Sequence, residues 1–146
     1  MVNDWSAYLP IAVAAGFVAF SLVILNFLAI VGGWQRLASC YYASAVPPGE
    51  RFLFRTANVG SVGYGSCLRF ISGPAGLFIS VFLLFRPGHP PLFIPWSDVS
   101  ASATRGWVFR YVDMRFARDP KVRLRVTRRL GERLLAAGGQ RPPESA

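Results

Sequence analysis

The chain has 146 residues, of which 53% are hydrophobic, and its 16 Lys and Arg residues against seven acidic ones give a formal net charge of +9. This length excludes anything larger than one small domain with an appendage, and the hydrophobic content is high for a soluble domain. With two cysteines and a single histidine, the sequence lacks most parts of a disulfide framework, a metal cluster or a serine-type triad. We therefore expect no metal and no cofactor.

The excess of apolar residues lies near the N-terminus. No charged residue occurs between Asp4 and Arg36, and residues 9–31 are almost wholly apolar. As a helix, about 20 such residues cross a hydrocarbon core of roughly 30 Å with every backbone amide satisfied. The pattern predicts a transmembrane helix over 9–31, preceded by a short extracytoplasmic segment over 1–8. The residues that mark this anchor are Leu9, Asn26, Val31 and the interfacial Trp34.

Two kinds of N-terminal processing compete with a retained anchor. A secretory signal peptide needs a basic start and a compact apolar core, whereas this N-terminus carries Asp4 and no Lys or Arg. The tetrapeptide 37–40, Leu-Ala-Ser-Cys, resembles a bacterial lipobox in which Cys40 carries a lipid. Such a box normally follows the apolar run directly, but residues 32–36 intervene here. A retained anchor is favoured, and lipidation of Cys40 is the alternative.

Charge predicts the orientation of this anchor. All 16 Lys and Arg residues lie at or after Arg36, so the positive-inside rule predicts an outer N-terminus and a cytoplasmic domain at the inner membrane. The basic excess suits an anionic partner, of which the inner leaflet is the nearest. Nucleic acid is not expected, because zinc-ligand, helix-turn-helix and ribonucleoprotein motifs are missing from the sequence. The alternative is that the excess is only a topology signal and a solvated face.

The residues after the anchor change in pattern. A connector over 32–50 ends at Pro47-Pro48-Gly49, and from residue 51 short apolar runs alternate with Gly and Pro, which is typical of strands. Residues 59–65 are glycine-rich but lack the lysine of a phosphate loop, and we interpret them as a turn or a bulged strand.

Residues 76–85 are apolar enough to suggest a second transmembrane segment. Only about ten residues there are continuously apolar, too few to cross a bilayer, so we predict a buried strand that runs into a loop. The apolar start of that loop either packs on the domain or dips into the membrane interface beside Arg86.

The segment 92–99 predicts an edge strand followed by a turn. Leu92 and Ile94 face one side and Phe93 the other, Pro95 suits an edge or a bulge, and the next turn starts at Ser97. This layout concentrates apolar side chains where a small domain needs a core.

Two strings in this region carry a resemblance. Gly76-Leu77-Phe78-Ile79-Ser80, followed by Ile94-Pro95-Trp96-Ser97-Asp98-Val99, resembles the pleckstrin-homology-like and GRAM-like small barrels of bacterial membrane proteins. The longer string FRPGHPPLFIPWSDV also looks like that of small bacterial proteins with one N-terminal anchor. The resemblance covers residues 51–137 and implies a mainly β pleckstrin-homology-like small barrel capped by a C-terminal helix. Its motif residues are Gly76, Pro95, Trp96 and Asp98.

The last third of the chain predicts two more strands and the helix. Residues 107–116 alternate in polarity, and residues 122–126 alternate apolar with basic side chains, which favours a final strand over a helix. Thr127 is a suitable N-cap for a helix that continues to Ala137. The tail over 138–146 is predicted to be disordered.

The acidic residues give no catalytic constellation. None is spaced to form a carboxylate pair or a nucleophile with its base, and Asp113 is expected on the outward face of a strand. We therefore predict a non-catalytic membrane-anchored module that binds anionic lipid headgroups or a membrane protein partner. The alternative is a structural subunit of a membrane complex with no ligand of its own, in which Asn26 bonds across helices. The predicted lipid-binding residues are Arg86, His89, Arg105 and Arg110.

Overall fold

The first element is a long helix, α1, spanning Trp5–Val31. The computed structural model describes residues 4–83 and 86–143, so residues 1–3 of the predicted N-terminal segment lie outside the described residues. At 1.5 Å per residue α1 is about 40 Å long, and it is long and apolar enough to span a membrane. Nearly all of its side chains are exposed, with Ala29 buried at its end. The helix contains the whole predicted span 9–31.

The rest of the described chain forms two short helices and seven strands. The predicted strands and turns of the middle segment are confirmed, including the turn between Val59 and Val62. The elements are α2 (Trp34–Tyr41), β1 (Glu50–Val59), β2 (Val62–Ser72), β3 (Gly76–Val81), β4 (Leu92–Pro95), β5 (Val99–Arg105), β6 (Arg110–Phe116), β7 (Asp119–Thr127) and α3 (Arg128–Ala137).

The strands form one antiparallel sheet that is not closed. Its order is β4-β3-β2-β1-β7-β6-β5, so β4 and β5 lie at opposite edges although they follow each other in sequence. The mainly β domain with a C-terminal helix is confirmed, whereas the predicted small barrel is not formed, because the two edge strands do not pair. Pro95 ends β4, and a 3-10 turn over Trp96–Asp98 carries the chain to the other edge. Instead of strand closure, α2 packs on β4 and β7, and α3 packs on β2, β6 and β7.

The segment predicted as a connector over 32–50 contributes to the core. The α2 residues Trp34, Leu37, Ala38 and Tyr41 are buried, and their spacing of three and four residues places them on one helix face. Trp34 is 0% exposed, and its indole N–H donates to the Pro90 carbonyl at 2.8 Å. The prediction of Trp34 as an interfacial anchor is therefore wrong. Gly33, with φ of +85°, turns the chain from α1 back onto the sheet.

The motif of the resemblance forms the corner after β4. Gly76 pairs with Pro95 across the β3–β4 ladder, and Leu92 and Ile94 are buried, as predicted for this edge strand. The Trp96 indole N–H donates to the Gly73 carbonyl at 2.7 Å. Asp98 accepts a hydrogen bond from the Tyr41 hydroxyl at 3.0 Å, which ties the corner to α2.

The C-terminal elements follow the prediction closely. Strand β6 begins at Arg110, later than the predicted residue 107, because residues 106–109 form the β5–β6 turn. Thr127 caps α3 and accepts a hydrogen bond from the Leu130 N–H at 3.4 Å, and Gly138 ends the helix. Of the tail predicted to be disordered, residues 144–146 lie outside the described residues.

Asp113 lies on the outer face of β6, as predicted, because both of its neighbours in sequence face the core, but it is buried there. It is 5% exposed, and its carboxylate accepts hydrogen bonds from Arg125 at 2.7 and 3.0 Å and from Thr104 at 2.9 Å. Burial alone raises the pKa of this carboxyl, but these hydrogen bonds and the charges of Arg125 and Arg123 hold the pKa of Asp113 below its ordinary value. The outer face of the β5–β6–β7 region therefore carries a partly buried ion-pair network.

Candidate functional site

The β3–β4 loop meets the C-terminal part of α1. A Cβ atom added at Gly88 would lie only 2.7 Å from Asn26 Oδ1, so the loop backbone packs directly on that side chain. Asn26 precedes the end of α1 at Val31 by about 7.5 Å along the helix axis. Its Nδ2 donates to the Leu22 carbonyl at 2.9 Å. One amide N–H thus has an acceptor within its own helix, and an Asn26 bond to another protein stays a prediction.

Next to this loop lies a group of exposed apolar side chains, which we call the apolar loop patch. Phe54 is 64% exposed and Leu83 is 68% exposed, and the rings of Phe54 and Phe82 have centroids 5.9 Å apart. Phe54 points outward because it has a φ of +53° at a register shift between β1 and β2. The members of the apolar loop patch are Leu53, Phe54, Phe82 and Leu83.

A cavity of about 280 Å³ opens between these side chains. Arg69 and Arg86 line it together with Cys67 and Ser80. The Arg69 Nε donates to the Ser80 hydroxyl at 3.0 Å, and its guanidinium lies 5.5 Å above the centre of the Phe78 ring. Cys67 also lines a second cavity, formed with Leu25 and Leu28 of α1, so the two cavities are neighbours and the second borders the long helix.

Arg69 and Arg86 border the apolar loop patch, and Arg51 lies near enough to Arg69 for its charge to act on it. We call these three residues the arginine rim. Burial, and then the neighbouring charges of Arg86 and Arg51, lower the pKa of Arg69. Among residues 4–83 and 86–143, none of these three guanidinium groups forms a salt bridge. Guanidinium groups without a carboxylate partner can bind phosphate oxygens. The apolar patch beside them can contact the apolar part of the same ligand.

His89 does not belong to this surface, although the sequence predicted it there. It is 1% exposed, and its Nδ1 lies 3.0 Å from the Pro87 carbonyl, which can only accept. The imidazole therefore donates from Nδ1, and its Nε2 accepts from the Tyr64 hydroxyl at 2.8 Å. Its ring also packs edge-on against Trp34. The prediction of His89 as a lipid contact is wrong, because the residue is a hydrogen-bonded part of the core.

Arg105 and Arg110 lie apart from Arg86. They are paired across the β5–β6 hairpin, at the sheet edge opposite β4. Between them Trp107 is 101% exposed, with Val108 and Phe109 also at the surface. The three predicted lipid-binding arginines therefore lie on two surfaces. Arg86 belongs to the arginine rim, and Arg105 and Arg110 belong to a second surface, the hairpin tip over residues 105–110.

Sequence reasoning missed most of this site. Leu53 and Phe54 belong to the apolar run 52–54, which a regular strand would divide between its two faces. The one available signal was that apolar run lying next to Arg51 and Arg55. A bulge that exposes two consecutive apolar side chains depends on pairing with β2, which the local pattern does not specify.

The described residues hold no group of three or more His, Cys, Asp and Glu side chains that could bind a metal ion. No protein-family model, curated protein or solved structure matches the chain. The proposed function is therefore based only on the geometry of the apolar loop patch and the arginine rim.

Proposed function

We propose that this protein is a membrane-anchored, non-catalytic module that binds anionic lipid headgroups at the cytoplasmic face of the inner membrane. In this proposal α1 is the single-pass anchor, and the β domain is pleckstrin-homology-like. The arginine rim binds headgroup phosphates, and the apolar loop patch enters the interface. The observation that supports this most is that an exposed apolar patch and three arginines without salt bridges among the described residues lie together, next to the β3–β4 loop that contacts α1.

The contact between Gly88 and Asn26 supports this placement. If Val31 lies near the inner boundary of the hydrocarbon, Asn26 lies about 7.5 Å inside it, and the loop that packs on Asn26 reaches past the headgroups to the edge of the hydrocarbon. Interfacial segments typically bury their apolar face by about 5–10 Å. The apolar loop patch is thus close enough to the bilayer for insertion without any rearrangement of the sheet.

Charge supports both the orientation and the ligand. Every Lys and Arg follows α1, and the positive-inside rule then places the domain in the cytoplasm, where anionic lipids give the leaflet a negative surface potential. Each arginine near that surface adds about 1 kcal/mol of attraction. Because the anchor already holds the domain at the membrane, weak binding of single lipids is sufficient.

The test is lipid retention by the full chain, measured by native mass spectrometry after release from detergent micelles. Micelles contain either phosphatidylglycerol or phosphatidylcholine. Each change Arg51→Gln, Arg69→Gln or Arg86→Gln is expected to weaken phosphatidylglycerol retention roughly fivefold, which corresponds to about 1 kcal/mol. Lys121→Gln removes the same charge from an exposed position of β7 and is the control. Retention that is equal for both lipids, or unchanged in all three variants, contradicts the proposal.

Lipid binding by the hairpin tip is a separate prediction, and the same lipid-retention assay tests it. Arg105→Gln and Arg110→Gln are expected to reduce phosphatidylglycerol retention if the tip also reaches the headgroups. A normal result for these two variants limits the lipid surface to the arginine rim.

A further inference from the structure

The bulge in β1 has a second consequence, because it changes the face on which Arg55 lies. Phe52 and Ala57 are each 3% exposed and belong to the core face of the sheet. Regular alternation from Phe52 would place Arg55 on the opposite, outer face. The extra residue at Phe54 shifts the alternation by one, so Arg55 faces inward, toward α3.

Arg55 faces a cavity of about 290 Å³ between β1 and the first turns of α3. Arg129 and Arg133 line the same cavity, and their spacing of four residues places them on one side of the helix. Like charges at this spacing destabilise a helix unless something neutralises them. The nearby Arg128 is paired with Glu132 at 2.8 Å, whereas among the described residues none of the three cavity arginines forms a salt bridge.

An unsatisfied donor lies beside the cavity. The Nε of Arg55 is buried and has no hydrogen-bond partner among the described residues, while its guanidinium lies 5.8 Å from the centre of the Phe52 ring. A buried donor without a partner is destabilising and is uncommon in folded proteins. An anion with several acceptor oxygens in the cavity would neutralise the two arginines of α3, and rotation of the Arg55 side chain toward it would give this N–H an acceptor.

We propose that this cavity, lined by Arg55, Arg129 and Arg133, binds a phosphate group. Three arginines line a space large enough for a tetrahedral oxyanion, and guanidinium geometry suits phosphate oxygens. The group is either free inorganic phosphate or the phosphomonoester of a lipid headgroup. The cavity lies on the face of β1 opposite to the apolar loop patch, so this site is separate from the proposed lipid surface. A bound phosphate joins α3 to the sheet and stabilises the folded domain.

The test uses the full chain with ¹⁵N-labelled arginine in nanodiscs, and observes the Arg55 Nε–H signal, assigned by its loss in Arg55→Lys. In one arm inorganic phosphate is added to phosphatidylcholine nanodiscs. In the other, nanodiscs contain phosphatidic acid and no free phosphate is added. A saturable shift in the first arm alone identifies a soluble ligand, and a shift in the second alone identifies a lipid phosphomonoester. Both results support the site, as does a shift in both arms.

Variants show whether the shift reports this cavity. Arg129→Gln and Arg133→Gln are each expected to weaken phosphate binding about tenfold, the effect of losing one charged hydrogen bond. Lys121→Gln should bind phosphate as the unmodified chain does. Two variants are used so that one remains if the other does not fold, as checked by circular dichroism. No shift in either arm, or equal affinity in Arg129→Gln, Arg133→Gln and Lys121→Gln, overturns the proposal. Both of these outcomes concern the cavity arginines alone, so they are independent of whether the arginine rim binds lipid.

Discussion

Replacing Trp34 by alanine is expected to lower the free energy of unfolding of the domain by about 4 kcal/mol. The side chain is fully buried, and its ring packs against Tyr64 and His89 with centroid distances of 5.5 and 5.3 Å. Its removal leaves a large cavity and also frees the Pro90 carbonyl that the indole N–H now satisfies. The measurement is urea unfolding of the full chain in detergent micelles, followed by near-ultraviolet circular dichroism.

Trp107→Ala is the matched control for this experiment. Trp107 is fully exposed in the hairpin tip, so its removal should change the free energy of unfolding by less than about 0.5 kcal/mol. The comparison separates burial from the general effect of deleting a tryptophan. Equal changes in the two variants would show that α2 is not part of the folded core.

Asp113→Asn is expected to lower the free energy of unfolding by about 3 kcal/mol at pH 7. The change keeps the shape of the side chain but removes the charge that Arg125 and Arg123 contact at 2.7 and 3.7 Å. A partly buried guanidinium is then left without its carboxylate, and that loss dominates the effect. Glu132→Gln is the control, since the Arg128–Glu132 pair is partly exposed and contributes only about 0.5 kcal/mol.

The pH dependence gives an independent check of the same network. The ordinary pKa of an aspartate is 3.8, and the pKa of Asp113 in the folded domain lies lower. Its contribution is therefore complete above 3.8 and is lost as the pH falls through the lower folded pKa. The stability difference between the unmodified chain and Asp113→Asn should stay constant from pH 7 to about 5 and shrink below about pH 4. A difference that grows in acid would contradict this sign.

Several elements were predictable because their signals are local. The continuous apolar run specifies α1, and Thr127 followed by a helical pattern specifies the start of α3. The alternation in 92–95 identified an edge strand ending at Pro95, because proline cannot donate to a further ladder bond. In each case the residues that define the element also lie within it.

Other features depend on contacts between distant segments. The burial of Trp34 and His89 arises where α2, β2 and the β3–β4 loop meet, and neither residue has a sequence neighbour that indicates this. The open sheet likewise depends on α2 packing on β4 and β7 in place of a closing strand pair. The apolar loop patch required the bulge at Phe54, where pairing with β2 overrides the alternation of β1.

The most direct test of the lipid-binding proposal is photo-crosslinking of the full chain in nanodiscs that contain phosphatidylglycerol with a photoreactive group near the headgroup. The crosslinked residues are located by mass spectrometry, with the equivalent photoreactive phosphatidylcholine as the comparison. We expect crosslinks at residues 53–54 and 82–83 as well as along α1, with more crosslinking from phosphatidylglycerol. Crosslinks confined to α1 with both lipids would contradict a lipid-binding role for the domain.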